Sequence, residues 1–122
     1  MKVCFIGGGN IAQAIISGLL KANFSPKDLV CVERNQENID LLKMKEIQVK
    51  TLECLLEDTF DLVVLAVKPK DALSVAADIQ GLAPDTSILT VVAGIGVEKY
   101  PNPNAIIRSM PNTASAFNKG IT

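Results

Sequence analysis

The sequence predicts an α/β fold: an open, doubly wound parallel sheet with helices on both faces. Three observations carry that expectation. Short apolar segments alternate with helix-period segments along the chain, the pattern of repeated βαβ units. Two of the apolar segments, DLVVLAV at 61–67 and TSILTVV at 86–92, are nearly continuous β-branched or apolar runs, as expected of parallel strands covered on both faces. The third observation is a glycine pattern, Gly7-x-Gly9-x-x-Ala12, at the junction of the first strand and the first helix.

The elements follow in order. A first strand is expected at 2–6 and a helix at 10–22, with Ile11, Ile15, Leu19 and Ala22 on one face. Asn23 to Pro26 makes a turn, which Pro26 can open. A second strand, 29–33, ends in Glu33. Helix 36–45, strand 47–50 and helix 52–58 come next, then strand 61–67 and helix 70–80. Gly81 to Asp85 is a turn before strand 86–92. A short helix at 96–100 and a strand at 104–109 close the series. The expected strand order is 3-2-1-4-5-6, with a ligand at the carboxyl ends of strands 1 and 4. The last stretch, SMPNTASAFNKGIT, is loop-like, and a strand that begins at Gly120 is expected to be cut off.

Length and composition narrow the class. A chain of 122 residues suits one domain spanning 1–122, and 48% apolar content supplies a core without staples. The net charge is −1, with one Tyr and four Phe, so nothing suggests a nucleic-acid partner. No apolar run reaches the ~20 residues of a membrane span, and glycines and Asn10 interrupt any signal-peptide pattern. Cys4, Cys31 and Cys54 are odd in number and lack metal spacing. They read as reduced thiols in or near the core of a cytoplasmic protein, with no metal site.

The glycine pattern names a ligand class. Gly7 makes the tight turn, Gly9 lets a pyrophosphate approach the backbone, and Ala12 lets the helix pack closely on the strand. The amides of Gly9, Asn10 and Ile11 then point at phosphate oxygens from the positive end of a helix dipole. Glu33 stands twenty-one residues after Ala12, the spacing at which a Rossmann-type unit presents a side chain to the adenosine ribose. Three further stretches converge there. Glu33-Arg34-Asn35 combines a carboxylate, which accepts from a ribose 2′-hydroxyl, with a guanidinium, which pairs with a 2′-phosphate. The balance favours NADP over NAD, because Glu33 can turn away while Arg34 has no other obvious partner. Ala66-Val67-Lys68-Pro69 ends the fourth strand, where Lys68 is either a phosphate or ribose contact or a surface lysine. Ala93-Gly94 follows the fifth strand and leaves room for a flat nicotinamide ring, or is an ordinary turn.

At Arg108-Ser109-Met110-Pro111-Asn112-Thr113 the chain begins to resemble a particular family, pyrroline-5-carboxylate reductase. The resemblance rests on FIGGGNIAQAI at the start, LAVKP at 65–69, VVAGI at 91–95 and RSMPNTASAFNKGIT at the end. The combination of LAVKP with R-x-MPNT is the specific part. The resemblance implies reduction of 1-pyrroline-5-carboxylate to L-proline, in proline biosynthesis, by a nicotinamide cofactor, commonly NADPH. It implies cofactor contacts at Gly7, Gly9, Asn10, Ile11, Ala12, Arg34, Ala66, Val67, Lys68, Pro69, Ala93 and Gly94. Met110, Pro111 and Asn112 would border the nicotinamide and the substrate carboxylate. The chain departs from the family at Glu53, usually Asn near the adenine ribose, and at Ala114, usually Pro. The family also continues into a helical domain that dimerises and supplies most of the substrate site. The segment is therefore expected to be truncated before that domain, inactive alone and homo-oligomeric when intact.

No His is present. A protonated imine already carries the charge that accepts hydride, so its reduction needs no acid from this segment, whereas a ketone requires one. No catalytic residue is therefore assigned here. Two other readings compete: a β-hydroxyacid or phosphogluconate-type dehydrogenase domain, and a non-catalytic NAD(H)-sensing module.

Overall fold

The computed structural model describes residues 1–108. Six parallel strands form one sheet: β1 (Val3–Ile6), β2 (Leu29–Val32), β3 (Gln48–Lys50), β4 (Leu62–Leu65), β5 (Ile88–Thr90) and β6 (Ile106–Arg108). Their order is 3-2-1-4-5-6, as the sequence predicts. Four helices connect them: α1 (Asn10–Lys21), α2 (Gln36–Met44), α3 (Cys54–Glu57) and α4 (Pro69–Leu82).

Strand alternation divides the core in two. Val3 and Phe5 of β1 face one side, with Ala12, Ile15, Ile16 and Leu19 of α1 and Leu42 of α2. Cys4 and Ile6 face the other, with Cys54 and Leu55 of α3 and Ala72, Ala76 and Ile79 of α4. The central strands β1 and β4 are buried at every position, which is why they read as unbroken apolar runs. The edge strand β3 exposes Gln48 and Lys50 and half-buries only Val49, so its short polar sequence leaves little apolar edge to attract another chain. Burying a side chain such as Phe5 contributes about 1.5–3 kcal/mol.

Several expected boundaries and faces shift. The face of α1 toward the sheet is Ala12, Ile15, Ile16 and Leu19, whereas Ile11 is 57% exposed and Ala22 is exposed. The close approach permitted by Ala12 sets the helix rotation and swings Ile11 outward. Gly81 belongs to the last turn of α4 rather than to a loop, and that helix starts one residue early, at Pro69. Proline at the first helical position costs no hydrogen bond and supplies the right φ. The strands expected at 61–67 and 86–92 are shorter at both ends, and the residues past Leu65 and Thr90 run into the loops above the sheet. Residues 97–99 form a 3-10 turn rather than an α-helix. Asn23, at φ 72°, turns the chain after α1, and Pro26 opens a 3-10 turn capped by Ser25, whose Oγ accepts from Lys27 N at 3.3 Å. Among the described residues no helix is long and apolar enough to cross a membrane.

Candidate functional site

The carboxyl ends of the central strands are stitched into a ledge. Gly7 N donates to Val32 O at 2.9 Å, Ala66 N to Ile6 O at 2.9 Å, and Val91 N to Leu65 O at 3.1 Å. Each bond extends the sheet ladder one residue past a strand and fixes where the next loop leaves. Gly7 sits at φ +99°, and a Cβ there would lie 2.5 Å from Ala66 O. The turn thus requires glycine twice over, for backbone angle and for room beside β4. Ala12 is fully buried against the sheet. Above Gly9, by contrast, a Cβ would meet nothing within 4 Å, so this part of the turn opens outward.

That opening fits a dinucleotide pyrophosphate. No side chain caps α1 at Gly9, and the first bond into the helix comes from Gln13 N to Gly9 O, 2.9 Å. The first-turn amides ahead of Gln13 have no intrahelical acceptor, and they lie at the positive end of the helix dipole. The turn itself is tied down from within. Cys31 Sγ donates to Gly7 O at 3.6 Å, Glu33 Oε1 accepts from Gly8 N at 2.6 Å, and Gln13 Nε2 donates to Gly8 O at 3.1 Å. Lys45 Nζ in turn holds Gln13 Oε1.

At the end of β2, Glu33 is turned away from the ribose position, the alternative in which Arg34 is left free. Its side chain points inward, to the glycine turn, instead of outward to a ribose. Besides Gly8 N, Oε1 accepts from Asn38 Nδ2 at 3.3 Å, and Oε2 accepts from Arg34 N at 2.9 Å and Asn35 N at 3.1 Å. Burial pulls the carboxyl's pKa up, but the hydrogen bonds from Asn35, Arg34, Gly8 and Asn38 outweigh it and leave it below the ordinary value. Asn35 has a structural occupation too: it caps α2, its Oδ1 accepting from Asn38 N at 3.1 Å. Arg34 is exposed, and among the described residues its guanidinium has no ion-pair partner. The Cys31 thiol, buried beside Glu33, is pushed up to about 12 by burial and by that carboxylate, so it is no nucleophile.

A cleft of about 490 Å³ lies beside these groups. Gly7, Glu33 and Arg34 form one wall, Val67 and Val75 another, and Lys50, Thr51, Leu52, Glu53 and Asp78 the rest. Its apolar patches suit a purine and its rim suits charged oxygens. Lys50, Thr51, Leu52, Val75 and Asp78 were not among the residues expected from the sequence. For Lys50 a signal exists: in the order 3-2-1, the end of the third strand flanks the end of the second, and Lys50 is in register with Val32. Asp78, in the third turn of α4, gives no such signal. Glu53, the position that departs from the resembled family, lines the cleft.

The other expected residues sit on the rim. Ala66 and Val67 are half-buried, while Lys68 and Pro69 are exposed at the start of α4. Ala93 and Gly94 are exposed beyond β5, with Gly94 at φ +82° and open space where a Cβ would be. This loop is anchored below by Thr90, whose Oγ1 bonds Tyr100 Oη at 2.9 Å and accepts from Val92 N at 3.2 Å, all buried. Met110, Pro111 and Asn112 lie outside the described residues.

Against known proteins, the family model described as NADP oxidoreductase, coenzyme F420-dependent, matches residues 2–94. The chain belongs to this oxidoreductase family. Pyrroline-5-carboxylate reductase 1 of Bacillus spizizenii is 36% identical over 131 residues, a match covering 99% of this chain and 43% of that protein. A pyrroline-5-carboxylate reductase structure from Coxiella burnetii superposes with a TM-score of 0.80 at 27% identity, over 95% of this chain and 46% of that one. A Plasmodium falciparum pyrroline carboxylate reductase structure with NADP bound shares the fold, with a TM-score of 0.64 at 22% identity, over 81% of this chain and 36% of that one. The chain thus spans about half the length, or less, of these relatives. Membership of this oxidoreductase family points to a nicotinamide cofactor.

Proposed function

We propose that this chain is the cofactor half of a pyrroline-5-carboxylate reductase and that it binds NADPH in preference to NADH. The observation that carries the reading is the whole-chain similarity to the Bacillus reductase; the arrangement at the end of β2 supports the cofactor preference. With Glu33 turned onto the chain, the group left facing the cleft rim is Arg34, a fork of donors suited to a phosphate. The amides of Gly9, Asn10 and Ile11 would hold the pyrophosphate, with Ala12 keeping the helix close. Lys68 at the start of α4 would add a charge there. Ala66, Val67 and Pro69 would form the floor, and Ala93 and Gly94 would leave the nicotinamide face clear. Met110, Pro111 and Asn112 would border the ring and the substrate carboxylate.

Bound reduced nicotinamide supplies a hydride to the imine carbon of 1-pyrroline-5-carboxylate, giving L-proline. The chain's own part is to bind and orient, since it holds no His to act as an acid. A protonated imine needs none, which suits this chemistry to a domain of amides and small residues. In this reading 1–122 is one cofactor domain of a cytoplasmic homo-oligomer, and a separate helical domain completes the substrate site.

Calorimetric titration with NADPH and NADH tests the reading. Tighter NADPH binding that Arg34→Ala abolishes, leaving NADH unaffected, is the expected result. Tighter NADH binding would overturn the NADP preference.

A further inference from the structure

A carboxylate has about four acceptor positions, two on each oxygen. At Glu33 all four are filled by the chain itself: Gly8 N and Asn38 Nδ2 on Oε1, Arg34 N and Asn35 N on Oε2. A ribose hydroxyl would have to displace one of these donors, and every candidate is costly to release. Gly8 is buried, so its amide would lose its acceptor away from water. The other backbone donors enter α2, and Asn38 belongs to its first turn. The fit is also steric. A Cβ at residue 8 would lie 3.0 Å from Glu33 Oε1, 3.0 Å from Leu42 Cδ1 and 3.2 Å from Cys31 Sγ. The middle residue of the triple glycine is thus bare where the carboxylate enters, a requirement separate from those at Gly7 and Gly9.

We propose that Glu33 is a positioning residue that braces the glycine turn and the Arg34 backbone together, and is not a ligand of the adenosine ribose. One side chain then couples two subsites. Through Gly8 N it fixes the turn whose next amides face the pyrophosphate. Through Arg34 N it fixes the backbone from which the guanidinium reaches the 2′ position. An acidic residue at the end of the second strand is ordinarily the mark of NAD recognition; here the same residue type at the same place serves the opposite preference, because its direction has changed. This inference rests on the cofactor reading above.

Two measurements on the 122-residue chain test it, and the first involves no cofactor. Amide NMR of the free chain follows Gly8 and Arg34 N–H against pH. Both resonances should move together as Glu33 protonates, below the ordinary carboxylate range, and Glu33→Gln should abolish the shared transition. The charged and titratable groups around Glu33 are Cys31 beneath it, Arg34 beside it, Lys45 behind Gln13, and Lys50, Glu53 and Asp78 across the cleft; loss of the transition in the variant separates Glu33 from the other carboxyls. Amides indifferent to pH in this range would overturn the brace, and this measurement stands even where the variant fails to fold.

The second measurement is the affinity of the parent and Glu33→Gln for NADH and NADPH. Glutamine keeps one acceptor oxygen but turns an NH2 toward backbone donors, so both affinities should fall about tenfold. A loss confined to NADH, with NADPH unchanged or tighter, would mean that the carboxylate reads the ribose, and would overturn the proposal. Binding of neither dinucleotide by the parent, with Gly8 still following Glu33, would overturn the cofactor reading and leave the brace supported.

Discussion

Gly7 and Glu33 show how differently two residues of one site can be read. Gly7 is dictated by its backbone angle and by the 2.5 Å separation that a Cβ would have from Ala66 O, and no other residue type meets both conditions. Gly7→Ala should therefore destabilise the chain by about 2–4 kcal/mol, since left-handed strain adds to a backbone clash; thermal unfolding beside the parent measures it. Such a constraint is legible in sequence because it selects a residue type. Glu33 is legible only as a choice, since the same carboxylate at the same position suits ribose binding or bracing. What decides is that Gly8 lacks a side chain and that Asn38 stands one turn into α2, facts of placement rather than spacing. Gly8→Ala, which pushes a methyl to 3.0 Å from Oε1, should weaken NADH and NADPH alike by about tenfold, as loss of a charged hydrogen bond would.

At the scale of elements, the alternation of strands and helices is readable as far as β5, and so is the strand order, because parallel connections admit few topologies. Helix rotation is not. Ile11 fits the apolar period of α1 as well as Ala12 does, yet the sheet selects the smaller side chain, since only it permits close contact. The cleft wall from α3 and α4 was also hidden: Asp78 reaches it only because α4 packs back across the sheet. Below the rim, β5 ends in a buried tether. Tyr100→Phe removes one hydrogen bond and should cost about 1 kcal/mol. Thr90→Val strands both Tyr100 Oη and Val92 N in the core and should cost about 2–3 kcal/mol. Urea titration of the two single variants and the double variant gives the comparison, and the double should fall short of the sum because the two share one bond.

For the molecule as a whole, acid is the weak side. Glu33 has a folded pKa below its ordinary value, so its contribution is fully present above the unfolded carboxylate value of about 4.3 and is lost as pH falls through the folded value. Asp58, paired with Lys2 and bonded by Thr59 N, is lowered mainly by that lysine and acts in the same direction. Unfolding midpoints in urea should be level from pH 7 to about 5 and fall below that, with Glu33→Gln flattening part of the decline. The three thiols are free and buried, with Cys31 held near 12, Cys4 raised by a hydrogen bond with Cys54 and by burial, and Cys54 lowered by that same hydrogen bond. A disulfide reagent at pH 7 should consequently modify Cys4 and Cys31 no faster than the folded chain opens, should reach Cys54 first, and should modify all three thiols at once in denaturant.

The ledge has a consequence in time. Gly7 is fixed by β2, and Ala66 by β1, and the bare Cα of Gly7 packs against the backbone of Ala66, so the turn is walled in only once residue 66 is in place. In register, Val3 lies against Leu62. During synthesis the first strand can therefore pair early only with β2, and its β4 edge must wait for more than half the described chain to follow. No early fragment ending before β4 can own a finished phosphate turn, however well its glycines are chosen. Such distant pairing slows folding, and the nascent chain carries an apolar strand with one edge open meanwhile, a period in which chaperones have something to hold.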